Sequence, residues 1–229
     1  QHHFGRGLVE TPSDFGLNGA RPTHPELLDW LASEFIAQKW SVKALQRLIV
    51  TSATYRQSSV PNEMAKPIDA DARLLWRFPP QRLEAEPLRD TILAITGKLD
   101  LQSGGPGFDL FEPNTNYVKV YNARRDFATD AFRRMIYWAK PRMQLDDTFG
   151  AFDCPDAGQI APKRNVSTTP LQALNLLNSG FMLQQAKSFA ERVEKEAGRD
   201  IGAQVKRVFA LAFQRAPSEK EFAAAVQLV

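Results

Sequence analysis

Apolar residues recur at helical spacing in RPTHPELLDWLASEFIAQKW, where Leu27, Leu28, Leu31 and Phe35 share one face. The spacing predicts a helix over 24–38. Thr23 and Glu26 stand in front of it as a capping box, with Pro25 in the first turn, where its missing N–H costs nothing. A second stripe, Val42, Leu45, Leu48, Ile49 and Ser52, follows Ser41 and predicts a helix over 42–56. So short a link between two matched stripes predicts an antiparallel helical hairpin, with Trp40 at the bend and Leu28, Leu31, Phe35, Leu45 and Ile49 in one core.

The pattern resumes in RLEAEPLRDTILAITG, with Leu88, Ile92 and Ile95 as the stripe, Pro87 in the first turn and Gly97 as the stop. Thr169 and Gln172 form a second capping box ahead of Leu171, Leu174 and Leu177. Ser179 restarts a helix whose core face is Phe181 or Met182, Ala186, Phe189 and Val193. Ile201, Val205, Val208 and Ala212 mark another helix, and Ser218 with Glu221 makes a third box. Between these elements the chain is rich in breakers: Pro61, Pro67, Pro79 and Pro80 in one loop, and LQSGGPGFDLFEPNTN in another. RRMIYWAKPR, aromatic and partly β-branched, reads as one strand or extended segment. The expected fold is mostly α: a multi-helix domain with helical hairpins, long Pro/Gly-rich loops and at most a small β element. Residues 1–100 form an N-terminal helical part, 101–122 a loop or linker and 123–229 a C-terminal helical part, together one continuous domain.

Composition narrows the function classes. A net charge of +3 over 229 residues, without a concentrated basic surface, argues against nucleic acid as the partner. One cysteine allows no intrachain disulfide, no Cys-rich zinc site and no two-cysteine haem attachment, so no cofactor is expected in this chain. No apolar run approaches the roughly 18 residues of a membrane span. The chain starts without Met or signal peptide and both ends fall inside apolar patterns, as expected of a piece of a longer protein.

Four groups of residues carry candidate chemistry. Asp146, Asp147, Asp153 and Asp156 offer hard oxygen ligands for a divalent cation, although their spacing is not that of an EF-hand, and Asp156 also suits a turn cap after Pro155. His24 near Asp14 and Arg21 offers a general base, or else a packing residue in a helix's first turn. Cys154 lies between two acids, which blunts a thiol nucleophile and fits a buried inert group better. The basic group around Arg124, Arg125, Arg133, Arg134, Lys140, Arg142, Lys163 and Arg164 is interleaved with Phe127, Phe132, Tyr137 and Trp138 and could hold a polyanion, unless the nearby aspartates pair with it. No phosphate loop, nucleophile elbow or H-E-x-x-H motif is present. In FDCPDAGQIAPKRNVSTTPLQALNLLN, Asp153, Arg164, Ser167 and Thr168 are expected to hold an irregular loop against the helix starting at Pro170.

Three stretches together resemble a known family: FGRGLVETPSDFGLNGARPTHPELLDWLASEF with WSVKALQRLIVTSATYRQSS; RLEAEPLRDTILAITG; and RRMIYWAKPR followed by FDCPDAGQIAPKRNVSTTPLQALNLLNSGFM. They are similar to the C-terminal domain of unknown function (PSD1-type, DUF1553) of Planctomycete and Verrucomicrobial cytochrome-c-associated proteins. There it commonly follows a cytochrome-c-like module and another uncharacterised domain. The resemblance implies export, periplasmic or to the cell envelope, because haem c is attached outside the cytoplasm, with any haem in the preceding part. It implies no reaction. Three readings follow: an accessory binding module serving neighbouring domains of the same protein and polysaccharide handling; a hydrolase-like enzyme built from His24, Asp14, Asp153, Asp156 and Arg164, with or without a divalent cation; and a polyanion-binding module.

Overall fold

The computed structural model describes residues 1–228 apart from 116, 119, 143, 147–149 and 159. Among the described residues it is mostly helical with no sheet, in line with the mostly α pattern. The chain divides into two compact units, Gln1–Arg82 and Leu83–Val229.

The first unit holds α1 (Pro25–Ala37), α2 (Val42–Thr51) and α3 (Ala53–Arg56). The α1 and α2 helices pack on each other across a reversal made by Lys39 and Trp40, both at left-handed φ. Leu31, Phe35, Leu45 and Ile49 are half-buried, while Leu28 stays exposed. Trp40 sets its ring against Phe35 at 5.3 Å, edge to face, yet remains largely exposed. Two details differ from the pattern. His24, not Thr23, is the N-cap of α1, because Thr23 is drawn away by Leu8, whose carbonyl accepts from both its N–H (2.8 Å) and its hydroxyl (3.3 Å). The helix expected over 42–56 breaks at Ser52, which adopts an extended conformation and caps α3 through its hydroxyl. A short polar side chain there competes with the helical ladder.

The second unit holds α4 (Ala85–Thr96), α5 (Pro170–Asn178), α6 (Gly180–Ala197), α7 (Ile201–Phe213) and α8 (Glu219–Gln227). Capping boxes at Thr169 and Ser218 form as read, and Gly97 ends α4 in the left-handed conformation that glycine adopts without Cβ strain. Its core joins Ala85 and Leu93 of α4 to Phe127, Phe132, Met135, Phe152 and Phe181. The 101–122 segment lies inside this unit and adds Phe108, Leu110 and Phe111 to the core.

RRMIYWAKPR is not a strand. It makes one short 3-10 turn, Met135–Tyr137, just after another at Thr129–Phe132, with isolated bridges Asp100–Arg133 and Phe108–Trp138. Arginine side chains satisfy carbonyls that a ladder would otherwise use. Arg133 donates to the carbonyls of Gln102 (3.0 Å), Gly104 and Pro106. Arg89, fully buried, donates to those of Ala131 and Arg133 and lies against the Phe108 and Phe181 rings at 4.8 and 5.3 Å.

This arginine also shifts the buried face of α4. The seam is Ala85, Arg89, Leu93 and Thr96, one position round from Leu88, Ile92 and Ile95, which are half-buried. On α6 the seam runs through Phe181, Gln185 and Val193; Gln185 replaces the expected Ala186 and accepts from Thr96 Oγ1 at 2.9 Å. On α5 only Gln172 is buried, and Leu171, Leu174 and Leu177 face outward.

Candidate functional site

The loop before α5 is held by its own polar side chains. Asp153, at a left-handed φ of 57°, accepts from the N–H of Ser167 (2.8 Å) and from its hydroxyl (2.9 Å). Gln172 donates to the carbonyls of Ala151 (2.9 Å) and Ser167 (3.0 Å), tying both ends of the loop to the first turn of α5. Asp156 closes a local turn on the N–H of Gly158 at 2.7 Å.

Arg164 reaches from this loop to the start of α4. Its planar fork makes two hydrogen bonds to Glu86, 2.6 and 2.9 Å, and approaches Glu84 at 3.2 Å. Lys140 donates to the Pro155 carbonyl and to Cys154 Sγ (3.3 Å), and the buried thiol points to Glu86 Oε1 at 3.6 Å. Burial acts to raise the Glu86 carboxyl, but the Arg164 hydrogen bonds and charge outweigh it and hold it below the usual range. The bond to Glu86 raises Arg164 in turn. Burial, then the Glu86 charge, pushes the Cys154 thiol up, against the pull of Lys140 and Arg164. Cys154 is therefore a neutral thiol near pH 7 and a poor nucleophile.

Beside this cluster lies an open groove of about 700 Å³, lined by α4 residues from Glu86 to Ala94, the 134–138 turn, Lys140 and Arg164. Asp90 accepts from the Met135 N–H at 2.7 Å and pairs with Arg134 at 3.7 Å. Trp138 lines the groove while nine-tenths buried, and its indole N–H donates to no protein atom.

The residues singled out in the sequence fall in different places. Asp14 and His24 belong to the first unit: Asp14 accepts from the Gly16 N–H at 2.9 Å, and His24 Nδ1 lies 2.9 Å from the Thr23 hydroxyl. Asp153, Asp156 and Arg164 belong to the second, and of these only Arg164 lines the groove. Asp146 is buried and its charge acts on Arg89, whose guanidinium burial lowers to about 10. Asp147 lies outside the described residues. Among the described residues no group of three His, Cys, Asp or Glu side chains is placed to hold a metal ion. Of the basic-aromatic group, Arg124 pairs with Asp130 at 3.3 Å, and Phe127 and Phe132 are buried in the core, out of reach of a stacking ligand. Glu84, Glu86 and Asp90 were missed. Their signal is a cluster of acids around a helix start, which ordinarily serves only the helix dipole.

Fold and groove define a two-unit, mostly helical chain with an open groove beside α4 ringed by paired charges. The chain belongs to the PSD1 family, described as a protein of unknown function (DUF1553), whose family model matches residues 1–229. No curated protein and no solved structure matches it.

Proposed function

We propose that this chain is a non-catalytic binding module of an exported, multidomain envelope protein, with polysaccharide as its ligand class. One observation supports this most: the ionisable groups of the groove are already engaged by protein partners. Glu86 is held by Arg164, Lys140 by the Pro155 carbonyl and Asp90 by Arg134 and a backbone N–H. A hydrolase needs a carboxyl or imidazole poised near the working pH. Glu86 is shifted the other way, and Cys154 is held as a thiol. Export, a redox link and companion domains rest on the resemblance to cytochrome-c-associated proteins. No helix among the described residues is long and apolar enough to cross a membrane. The test is incubation of the purified chain with soluble polysaccharides, assaying retention in affinity electrophoresis and new reducing ends together. Retention without cleavage is expected, and cleavage that tracks the pure protein would overturn the reading.

A further inference from the structure

We infer that the groove beside α4 is the polysaccharide site and that it selects an uncharged chain over an acidic one. The inference rests on the binding-module reading and deepens it. Three carboxylates, Glu84, Glu86 and Asp90, face three cations, Arg134, Lys140 and Arg164, across the lining. Each cation is already engaged: Arg164 hydrogen-bonds Glu86 and approaches Glu84, Arg134 lies 3.7 Å from Asp90, and Lys140 donates to the Pro155 carbonyl. An anionic ligand that takes a spare N–H of Arg134 or Arg164 is repelled by the carboxylate already paired with that arginine. A hydroxyl meets no such repulsion. It donates to a spare carboxylate lone pair and accepts from a spare N–H, leaving the ion pair intact.

Spare valences are on offer where the groove meets solvent, since the side chains of Glu84 and Arg134 are 44% and 56% exposed. Trp138 adds an aromatic side chain to the lining. Exposed Pro87 and Ile136 border these polar groups and suit the C–H face of a pyranose. The volume of about 700 Å³ lies within the range of ligand sites, and the open form lets a polymer pass without ending there.

The experiment is affinity electrophoresis of the whole chain in gels containing dextran, barley β-glucan, galactomannan or xylan, and in parallel gels containing polygalacturonate or alginate, at about 0.15 M salt. Thr91→Trp fills the groove from an exposed position on α4, and Lys98→Trp, exposed and outside the groove, is the control. Melting curves check that both variants fold. At least one neutral polysaccharide is expected to retard the wild type and Lys98→Trp equally. Thr91→Trp should lose about tenfold or more in apparent affinity. Retardation by the acidic polymers alone, or neutral retardation unchanged in Thr91→Trp, overturns the inference while leaving the non-catalytic module standing, because that reading falls only to new reducing ends or to a chain that no polymer retards. Retardation by none of the polymers overturns both.

Discussion

The Arg164–Glu86 pair gives the sharpest separation between a structural and a catalytic role for the 152–169 loop. Two bonds of 2.6 and 2.9 Å join side chains that are 29% and 28% exposed. An exposed pair is worth about 0–1 kcal/mol, and breaking a buried one costs about 3–5 kcal/mol. A bidentate, mostly covered pair falls between, and the expected coupling energy is about 2 kcal/mol. The assay is a double-mutant cycle of Arg164→Ala, Glu86→Ala and the double variant, by urea unfolding at pH 7. Arg164→Ala should cost more than Glu86→Ala, because it leaves Glu84 and Glu86 facing each other, whereas Glu86→Ala leaves Arg164 with Glu84. The pH dependence has a definite sign. Glu86 is held below its ordinary value of 4.5, so the pair's contribution is complete above that value and is lost as pH falls through the lower folded value. A coupling below about 0.5 kcal/mol at pH 7 would refute the structural role. So would an Arg164→Ala protein of unchanged stability that had lost a catalytic activity.

Arg89→Met should destabilise the second unit by about 3–5 kcal/mol in urea, since it strands the Ala131 and Arg133 carbonyls in the core; near-wild-type stability would contradict the hub role of this arginine. Thr169→Ala should cost about 1 kcal/mol, as expected for a working capping box, and Thr23→Ala less than that, because Thr23 caps no helix; the opposite order would contradict the cap assignments. Cys154 should react slowly with a disulfide reagent at pH 8 in the folded protein and rapidly in urea, because burial and Glu86 hold it as a thiol; fast native reaction would show a thiolate.

The helices were legible because their signals are local. Caps at Ser41, Thr169, Ser179 and Ser218 and the stop at Gly97 each involve groups within a few residues, and all of them form. Thr23 had the same local signature and failed, because Leu8 offers its hydroxyl a tertiary partner. The faces were harder. Arg89 and Gln185 carry polar labels and yet are fully buried, since the carbonyls of Ala131 and Arg133 accept from the one and the hydroxyl of Thr96 donates to the other. Leu171, Leu174 and Leu177 carry apolar labels and are exposed. Periodicity reports that a helix has two faces, but which one is inward depends on partners distant in sequence. The same limit applied to the groove. Arg164 was expected to hold its own loop, but its partner Glu86 lies on α4, 78 positions away.

The most direct test of the groove is the indole N–H resonance of Trp138. The chain has four tryptophans, so four indole peaks serve as internal probes in a ¹H–¹⁵N spectrum, assigned by conservative substitution. Titration with a neutral hexasaccharide, drawn from the polymer that retards the chain most, should move the Trp138 peak in a saturable way. The peaks of Trp30, Trp40 and Trp76 should stay in place. A Trp138 peak that holds still while the chain is saturated with the sugar would contradict the assignment of the groove as the binding site.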